Sequence, residues 1–527
     1  MNEGPSRRMR WAAPLLVVVL LAIAALACTR ESGEVITITA TPLIDEMTGQ
    51  VIIPPSITPT GPTKTPIQPT PNPARTDTLG SALYTVQAGD TLGTIALRYG
   101  VTVEELLALN PQLANPDALE VGQTINTPGG GLPVGPDMKL IPDSELVYGP
   151  TAADFSITSV VKYSPGFLRA YSEEVDGEVM TGVEIIHFVA KSYSVNPRLL
   201  LALLEYRGEW LTNPFPPQAK IDYPMGIQRP NREGLMRQML DAADALNAGY
   251  YGWKYRGDTV LSFDDGVRIL FAPTLNPGTV AVQKMLSVAT SSTQWQRDVA
   301  PTGFFDTYLS MFGDPFVNAY EPITPPNLTQ PELTLPFARG EEWVYTGGPH
   351  GAYNSGSAWG AVDFAPPRPS DELIALQGAC YVSPYWVTAV APGVIARSGD
   401  GYVILDLDGD GDETTGWTIV YLHIDNHEVI APGTRVKTGD RLGHPSCEGG
   451  FSNGTHLHIS RRYNGEWIPV ECEDCMPGAV VPPFTLGEWT LHGYPRQEYQ
   501  GYMTHAGGEG TRQADQMREF QDNKVMW

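Results

Sequence analysis

The chain has 527 residues, and 34 Lys and Arg against 59 Asp and Glu give it a formal net charge of −25 at pH 7. Its length accommodates roughly three or four domains, and 42% apolar residues are enough for ordinary cores. A chain this acidic is a poor match for nucleic acid or for anionic lipid headgroups. We therefore expect no nucleic-acid partner, and we expect any bound polymer to be recognised by shape and hydrogen bonds.

Residues 1–27 have the pattern of a secretory signal. Three arginines among residues 7–10 precede an apolar run over 11–27, and Cys28 follows directly. The A-L-A-C ending resembles a bacterial lipobox, which implies a lipidated Cys28 and a membrane-anchored chain, although Ala25 stands where lipoboxes usually carry Leu. Simple secretion and a single transmembrane anchor are the alternatives, and the apolar run is at the short limit for the latter. All three place the rest of the chain outside the cytoplasm.

Residues 28–80 are predicted to form a linker. From residue 41 this segment is rich in Thr and Pro, as in T-P-T-G-P-T-K-T-P-I-Q-P-T-P. Such a composition cannot bury a core and stays extended. The segment would hold the following domain away from the anchoring surface.

Residues 81–128 have the pattern of a small βααβ domain. A strand is predicted at 84–86 and another at 123–126. Thr91 is placed to cap the first helix, and Thr102 with Glu105 forms a capping-box signal for the second.

Three short motifs in this segment resemble the LysM module: V-x-x-G-D-T-L at 86–92, A-L-N-P at 108–111 and V-G-Q-x-I at 121–125. That resemblance implies binding of N-acetylglucosamine polymers such as peptidoglycan. The sugar would lie near Gly89, Asp90 and Thr91 and near the loop 116–119. A purely structural small domain is the alternative.

A Gly/Pro-rich linker is predicted at 129–150, and a helical domain at 151–328. The stretch S-V-N-P-R-L-L-L-A-L-L-E-Y-R-G-E-W-L, residues 194–211, resembles the core helix of lysozyme-like lytic transglycosylases. In that family the helix ends in an essential Glu, and Arg207 occupies its position here. Because arginine does not deprotonate in proteins, it cannot serve as the general acid. We predict a lysozyme-like helical fold without glycan chemistry; cleavage by Glu205 or Glu209 is the alternative.

Residues 329–485 are Gly-rich with short alternating apolar runs, which is typical of an all-β domain of antiparallel strands. The stretch N-G-T-H-L-H-I-S at 453–460 reads as the start of one strand. Since strand side chains alternate, His456 and His458 should share one face, about 7 Å apart, with Leu457 on the other. This spacing favours two roles at one site.

A hydrolytic zinc ion needs three protein ligands and an open fourth position. Besides the histidine pair, this domain offers His350, Asp363 and His423, each of which alone has an ordinary structural explanation. Their order and context over about 335–470 resemble the M23 zinc endopeptidases, which cut peptide bonds in peptidoglycan. The H-x12-D spacing is similar to that of the staphylolysin-like branch.

The resemblance implies that His350, Asp363 and His458 bind one Zn²⁺ and that His423 and His456 stay off the metal. One of these two would carry the proton of the attacking water, and both would stabilise the oxyanion. The implied function is hydrolysis of peptidoglycan stems or cross-bridges by an enzyme that LysM targets to the wall. A non-catalytic scaffold or activator of other hydrolases is the alternative.

Four cysteines lie in the C-terminal third: Cys380, Cys447, Cys472 and Cys475. In an oxidising compartment they are expected to form two disulfides. We favour Cys380 with Cys447 and Cys472 with Cys475, while the other pairings and a four-cysteine zinc site stay open.

Two further segments carry weaker signals. Asp406, Asp408 and Asp410 occupy ligand positions of a calcium loop, but Trp417 stands where the closing Glu belongs, which favours a solvated acidic hairpin over bound Ca²⁺. Residues 486–527 are polar, and we predict a flexible or loosely packed tail.

Overall fold

A computed structural model describes residues 83–86, 90–99, 101–111, 113, 119–127, 132–508, 510–516 and 521–527. The predicted signal, Cys28, the linker 28–80, Gly89 and residues 116–118 lie outside these ranges. Within them, no helix combines the length and hydropathy needed to cross a membrane.

The first described segment has the predicted βααβ order. Its two strands pair antiparallel, and Ile125 lies at the centre of a small apolar core with Leu106. Thr102 and Glu105 form the predicted capping box. Its elements are β1 (Leu83–Thr85), α1 (Leu92–Arg98), α2 (Val103–Leu109) and β2 (Thr124–Asn126).

The middle region is helical, as predicted, although its likeness to lysozyme stays a prediction. Its central helix has Asn196 as N-cap and Pro197 in its first turn, and Leu199–Leu204 are fully buried, so neighbours surround it. The α-helices are α3 (Ile157–Lys162), α4 (Gly182–Tyr193), α5 (Pro197–Gly208), α6 (Gln218–Asp222), α7 (Leu235–Tyr251), α8 (Pro277–Leu286), α9 (Ser292–Asp298) and α10 (Phe304–Phe312). Two hairpins join them, β3 (Ser172–Val175) with β4 (Glu178–Thr181) and β5 (Val260–Ser262) with β6 (Arg268–Leu270). A π-helical turn covers Gly252–Arg256, and short 3₁₀ turns cover Asp143–Glu145, Pro150–Ala152 and Phe167–Ala170.

The predicted linker at 129–150 is wrong for its C-terminal part. Leu140, Ile141, Leu146 and Val147 are at most 1% exposed and belong to the core of the helical region. The Gly and Pro residues around them signalled a linker, but these four apolar side chains find partners only in the folded chain.

The C-terminal region is an antiparallel β structure, which confirms the predicted fold class. Its main sheet has nine strands in the order β13-β10-β11-β12-β15-β8-β7-β21, with β16 pairing to β15. The strands are β7 (Trp343–Gly351), β8 (Trp359–Ala365), β10 (Gly393–Gly399), β11 (Tyr402–Asp406), β12 (Trp417–Leu422), β13 (Arg435–Val436), β15 (Leu457–Tyr463), β16 (Glu466–Trp467) and β21 (Lys524–Val525). A separate pair joins β9 (Val387–Thr388) to β14 (Arg441–Gly443), and helix α11 covers Asp371–Gln377.

Both faces of the centre of this sheet are buried. On β12, Val420 and Leu422 join the core of the helical region, whereas Ile419 and Tyr421 join the core inside the β domain. Because strand side chains alternate, the helical region covers one face of the sheet and the β domain's own loops cover the other. The helical region is therefore part of the same compact body as the sheet.

The prediction of a loosely packed tail after residue 486 was wrong. This segment forms a four-stranded sheet of β17 (Thr485–Leu486), β18 (Trp489–Tyr494), β19 (Gln497–His505) and β20 (Thr511–Gln513), and it adds β21 to the main sheet after a 3₁₀ turn at Gln521–Asn523. Trp489, Leu491 and Met503 are at most 4% exposed and pack into the β-domain core. These apolar residues are few and far apart in the sequence, so the average polarity concealed them.

Candidate active site

Strand register brings the predicted site residues side by side. His458 on β15 lies opposite Asp363 on β8 and, across its other edge, opposite Leu422, the last residue of β12. His423 follows Leu422 with a backbone φ of 65°, a conformation that residues with a Cβ adopt rarely. The strand ends at Leu422, and the turn brings the imidazole ring of His423 towards His458.

His350, a further predicted site residue, comes from β7 on the other side of β8. The register between these strands shifts twice from Gly347 to Gly351, and such bulges re-aim side chains. At Gly347 a Cβ atom would lie only 2.4 Å from Oδ2 of Asp363, so a glycine is needed for that carboxylate to fit.

Three side-chain atoms converge at the site, one each from His350, Asp363 and His458, which we call the triad. The Nε2 atom of His350 lies 3.0 Å from Nδ1 of His458, and each of these nitrogens lies 3.4 Å from Oδ1 of Asp363. Ligand atoms about 2.0–2.1 Å from a tetrahedral zinc ion are about 3.3 Å apart, which matches this spacing. The Oδ1 atom is buried without a hydrogen-bond partner, as expected of an atom that awaits a cation. The residues thus fit Zn²⁺.

Backbone carbonyls fix both proposed histidine ligands. Nδ1 of His350 lies 2.8 Å from the carbonyl oxygen of Gly348, and Nε2 of His458 lies 2.9 Å from that of Ala352. A neutral imidazole that donates to a carbonyl has its lone pair on the other nitrogen. In both rings that other nitrogen is the one that faces Asp363.

His423 and His456 lie next to the triad with their rings 4.5 Å apart. Nδ1 of His423 is 2.8 Å from the carbonyl oxygen of Glu448, and Nδ1 of His456 is 2.7 Å from that of Gly454. Nε2 of each ring is thereby left for chemistry in the cleft. Nε2 of His456 lies 3.7 Å from Oδ1 of Asp363, farther than the two triad nitrogens, which agrees with a role off the metal.

The charges in the site suit a cation. Burial disfavours the carboxylate of Asp363, but His350 and His456 outweigh it and hold the pKa of Asp363 well below its usual range. Burial, followed by the neighbouring His456 and His458, lowers the pKa of His423 to about 3. Burial also lowers the pKa of His458, whereas for His350 the adjacent Asp363 overcomes burial and raises the pKa. An anionic Asp363 thus lies among imidazoles. A bound cation would displace the proton whose binding to His350 the raised pKa favours.

Two parts of the chain that the sequence did not connect with the site also reach it. The Tyr499 ring on β19 stacks on His350 at 4.3 Å and 16°, and Glu498 accepts a hydrogen bond of 3.1 Å from the backbone N–H of Gly351. Residues of the β3–β4 hairpin and of α4 and α7 line the same cleft as the triad. No local pattern signals these contacts, because the residues lie far from the histidines in sequence.

The structure joins Cys380 to Cys447 and Cys472 to Cys475, the pairing that the sequence favoured. The first disulfide links two loops beside the site, where Thr455 also hydrogen-bonds to the backbone of Ala379 and Tyr381. It therefore helps to fix the loop that leads into the H-x-H strand.

The acidic segment at 406–413 begins the loop between β11 and β12, as the sequence indicated. Oδ2 of Asp406 accepts hydrogen bonds from the backbone N–H groups of Gly409 and Gly411. Glu413 turns away from Asp408 and Asp410 and pairs with Arg397 and Arg462. These hydrogen bonds account for the turn, and nothing besides the acidic cluster supports Ca²⁺.

The residues at the end of α5 that were considered for glycan chemistry, Glu205, Arg207 and Glu209, all have other partners. Arg207 pairs with Asp298 at 2.9 Å, and Glu209 pairs with Lys220 at 2.5 Å. Glu205 accepts hydrogen bonds from the backbone N–H groups of residues 211 and 212. These contacts favour a structural role for the end of α5.

The predicted sugar-binding residues of the βααβ segment also have structural roles. Asp90 accepts a hydrogen bond of 2.7 Å from the Tyr84 hydroxyl, and Thr91 caps α1 through the backbone N–H of Thr94 at 3.1 Å. Sugar binding there stays a prediction.

Models of three protein families match parts of the chain: "LysM domain" over residues 84–128, "LasA, N-terminal domain" over 139–326 and "Peptidase family M23" over 379–469. The last match contains His423, His456 and His458 and begins after Asp363. The LasA match covers most of the helical region.

Two relatives extend these matches. Protease LasA of Pseudomonas aeruginosa strain UCBPP-PA14 is 26% identical over 408 residues, which cover 71% of this chain and 87% of LasA. SpoIVD-associated factor A of Bacillus subtilis strain 168 is 47% identical over 57 residues, or 11% of this chain and 15% of that protein.

Solved structures give weaker likenesses. The M23 metalloprotease pseudoalterin from the deep sea is 22% identical and covers 36% of this chain and 96% of its own, with a TM-score of 0.25. The catalytic domain of lysostaphin from Staphylococcus simulans is 24% identical over 24% of this chain and 81% of its own, with a TM-score of 0.17.

Proposed function

We propose that this chain, which contains an M23 peptidase domain and a LysM domain and is homologous to protease LasA, is a zinc endopeptidase that hydrolyses peptide stems or cross-bridges of peptidoglycan. The observation that carries the proposal is the convergence of three ligand atoms, Nε2 of His350, Nδ1 of His458 and the Oδ1 of Asp363 that has no hydrogen-bond partner. Two further histidines face the same cleft.

The chain's own residues would divide the work. His350, Asp363 and His458 would hold the zinc ion, which when bound supplies a Lewis acid that lowers the pKa of water towards about 7. His423 would take the proton of the attacking water on Nε2, since Nδ1 faces the carbonyl of Glu448. His456 presents its own Nε2 to the cleft and donates a hydrogen bond to the oxyanion when that nitrogen is protonated.

The N-terminal part would bring this site to its substrate. The LysM domain would bind the glycan strands, and the Thr/Pro-rich linker would give it reach from the membrane. Lipidation at Cys28 would keep the enzyme in the cell envelope, outside the cytoplasm. Loss of the protein from the membrane fraction in a Cys28→Ala strain would test this anchor.

The test of the enzymatic proposal is digestion of purified peptidoglycan by the zinc-loaded protein, followed by mass spectrometry of new amine termini. We expect new termini with the wild type and at least a hundredfold fewer with His456→Ala at unchanged zinc content, because a placed histidine contributes about 10² to 10⁴ in rate. His427→Ala is the matched control, since that side chain is 90% exposed and lies outside the cleft.

The absence of new termini at full zinc occupancy would contradict the proposal. The chain would then be better described as a non-catalytic scaffold or activator that docks on peptidoglycan. Equal activity of the wild type and His456→Ala would instead remove the role given to that histidine.

A further inference from the structure

One loop of the β domain carries the backbone that holds the two histidines proposed to stay off the metal, His423 and His456. We call residues 448–454, E-G-G-F-S-N-G, the histidine loop. Its first carbonyl oxygen, that of Glu448, lies 2.8 Å from Nδ1 of His423, and its last, that of Gly454, lies 2.7 Å from Nδ1 of His456. The histidine loop therefore runs from one ring to the other, and a ligand that touches its middle lies close to both.

Both ends of the histidine loop are anchored within the β domain. Cys447, which precedes the loop, is disulfide-bonded to Cys380. Thr455, which follows it, is fully buried, and its hydroxyl accepts a hydrogen bond of 2.9 Å from the backbone N–H of Tyr381. Both anchors consist of β-domain residues alone, so they would hold the loop whether or not the helical region lies beside it.

The histidine loop lies where two cavities meet. The cleft that contains the triad has a volume of about 1090 Å³, and a second cavity of about 600 Å³ adjoins it. The linings of the two share Asp363, Asn453, His456 and Gln516. The second cavity is lined by residues between 346 and 516, all of them C-terminal to the helical region. A peptide that passes the triad from one cavity into the other therefore runs along the loop.

The side chain in the middle of the loop is open to contact. Phe451 lines the triad cleft and is 95% exposed, the highest fraction of any large apolar side chain in the described residues. The backbone next to it is close to the histidines, since a Cβ atom on Gly450 would lie 3.9 Å from Cε1 of His423. A single exposed apolar residue is ordinary on an outer surface, but this ring lies inside a cleft and forgoes the free energy of burial there. Packing within the chain therefore does not explain its position.

We propose that Phe451 is a substrate-contacting residue and that its ring packs on an apolar side chain next to the scissile bond. This inference rests on the proposed function and adds a determinant of specificity to it. A phenyl ring offers apolar surface and no strong hydrogen-bonding group, so it discriminates between substrate residues by their apolar area. Glycine presents no side chain to the ring, whereas alanine presents a methyl group. The site therefore favours peptidoglycan peptides with alanine over those with glycine at that position.

The experiment compares hexaglycine with two alanine peptides on the complete zinc-loaded protein. In the alanine peptides D-alanine replaces glycine on one or the other side of the central bond, and mass spectrometry of the products identifies the bond that is cut. The proteins are the wild type, Phe451→Ala, Phe451→Leu and the control Leu376→Ala. Leu376 is an apolar residue of the same domain that is 79% exposed and lines neither cavity.

We expect the wild type and Leu376→Ala to have a kcat/KM about fourfold higher for one of the alanine peptides than for hexaglycine, the effect of roughly one buried methyl group. Phe451→Ala should abolish this preference, and Phe451→Leu, which keeps apolar area at the site, should retain most of it. A preference that persists in Phe451→Ala, or that is absent from the wild type, would overturn the inference. An equal loss of kcat on all peptides with the preference unchanged would also overturn it, since the ring would then only support the histidine loop.

Binding separates this inference from the proposed function. Calorimetry with the His456→Ala protein, in which turnover is suppressed, should show tighter binding of one alanine peptide than of hexaglycine, and the added Phe451→Ala substitution should abolish the difference. This binding preference without any cleavage of peptide or peptidoglycan by the wild type would refute only the proposed function. Cleavage of all peptides at equal rates, together with equal binding, would refute only the role of Phe451.

Discussion

The buried pair of Lys254 and Glu466 gives a sharp test of how firmly the helical region is joined to the sheet. Glu466 is fully buried, and the Lys254 side chain is 9% exposed. Glu466→Ala would leave the ammonium without the carboxylate that it hydrogen-bonds at 2.5 Å and the Tyr255 hydroxyl without its acceptor, although Asp143 and Glu321 still attract the ammonium electrostatically. Removal of one partner of a buried ion pair costs about 3–5 kcal/mol. The Tyr250 ring, 5.3 Å from the ammonium, and the carboxylates of Asp143 and Glu321 offset part of this cost, so we expect about 3 kcal/mol.

The assay is urea denaturation of the complete protein followed by tryptophan fluorescence. Trp467 reports on this junction, since its indole N–H donates to the carbonyl of Tyr193 across it. With a slope of about 3 kcal/mol per M, Glu466→Ala should lower the midpoint by roughly 1 M. The double variant Lys254→Met/Glu466→Leu removes both charges of the pair and should recover part of the loss, because the buried Asp143 then loses the same cation.

An exposed ion pair in the same region provides the matched control. Lys220 and Glu209 are also 2.5 Å apart, but their side chains are 33% and 49% exposed. Glu209→Ala should therefore cost no more than about 1 kcal/mol. A midpoint for Glu466→Ala as high as that for Glu209→Ala would refute the conclusion that buried charges hold the two regions together.

Three further predictions concern the metal, the proton and acid stability. Asp363→Asn removes the only anion among the proposed ligands, so zinc affinity should fall at least about tenfold in a competition assay with a chelating dye, and unchanged affinity would exclude Asp363 as a ligand. His423→Ala should retain full zinc content and lower kcat by about 10² to 10⁴, and a loss of zinc would place His423 on the metal instead. Burial opposes the charge of Glu413, but Arg397 and Arg462 outweigh it and lower its pKa from 4.5 to about 2. Because the folded-state pKa is the lower one, this stabilisation, on the order of 3 kcal/mol, is present above pH 4.5 and is lost as the pH falls towards 2. Urea midpoints of the wild type and Glu413→Gln should therefore differ at pH 6 and converge towards pH 2, and a constant difference would contradict the assignment.

The sequence by itself determined those features whose cause is local. Alternation along a strand placed His456 and His458 on one face, and the structure has both in one cleft with Leu457 buried in the opposite core. The capping box of Thr102 and Glu105 depends on residues three apart, so the start of α2 was predictable. The three short LysM motifs likewise identified a module whose core is formed within 45 residues.

Only the tertiary structure decided how distant segments meet. His350 and His458 are 108 residues apart, and Lys254 and Glu466 are 212 apart, so no local period can specify either contact. The same reason explains the two wrong predictions. Leu140 and Leu491 stand in segments of low average hydropathy, yet each is at most 1% exposed once a distant core surrounds it. Burial is set by the partners that folding supplies, and these are absent from the residues on either side in the chain.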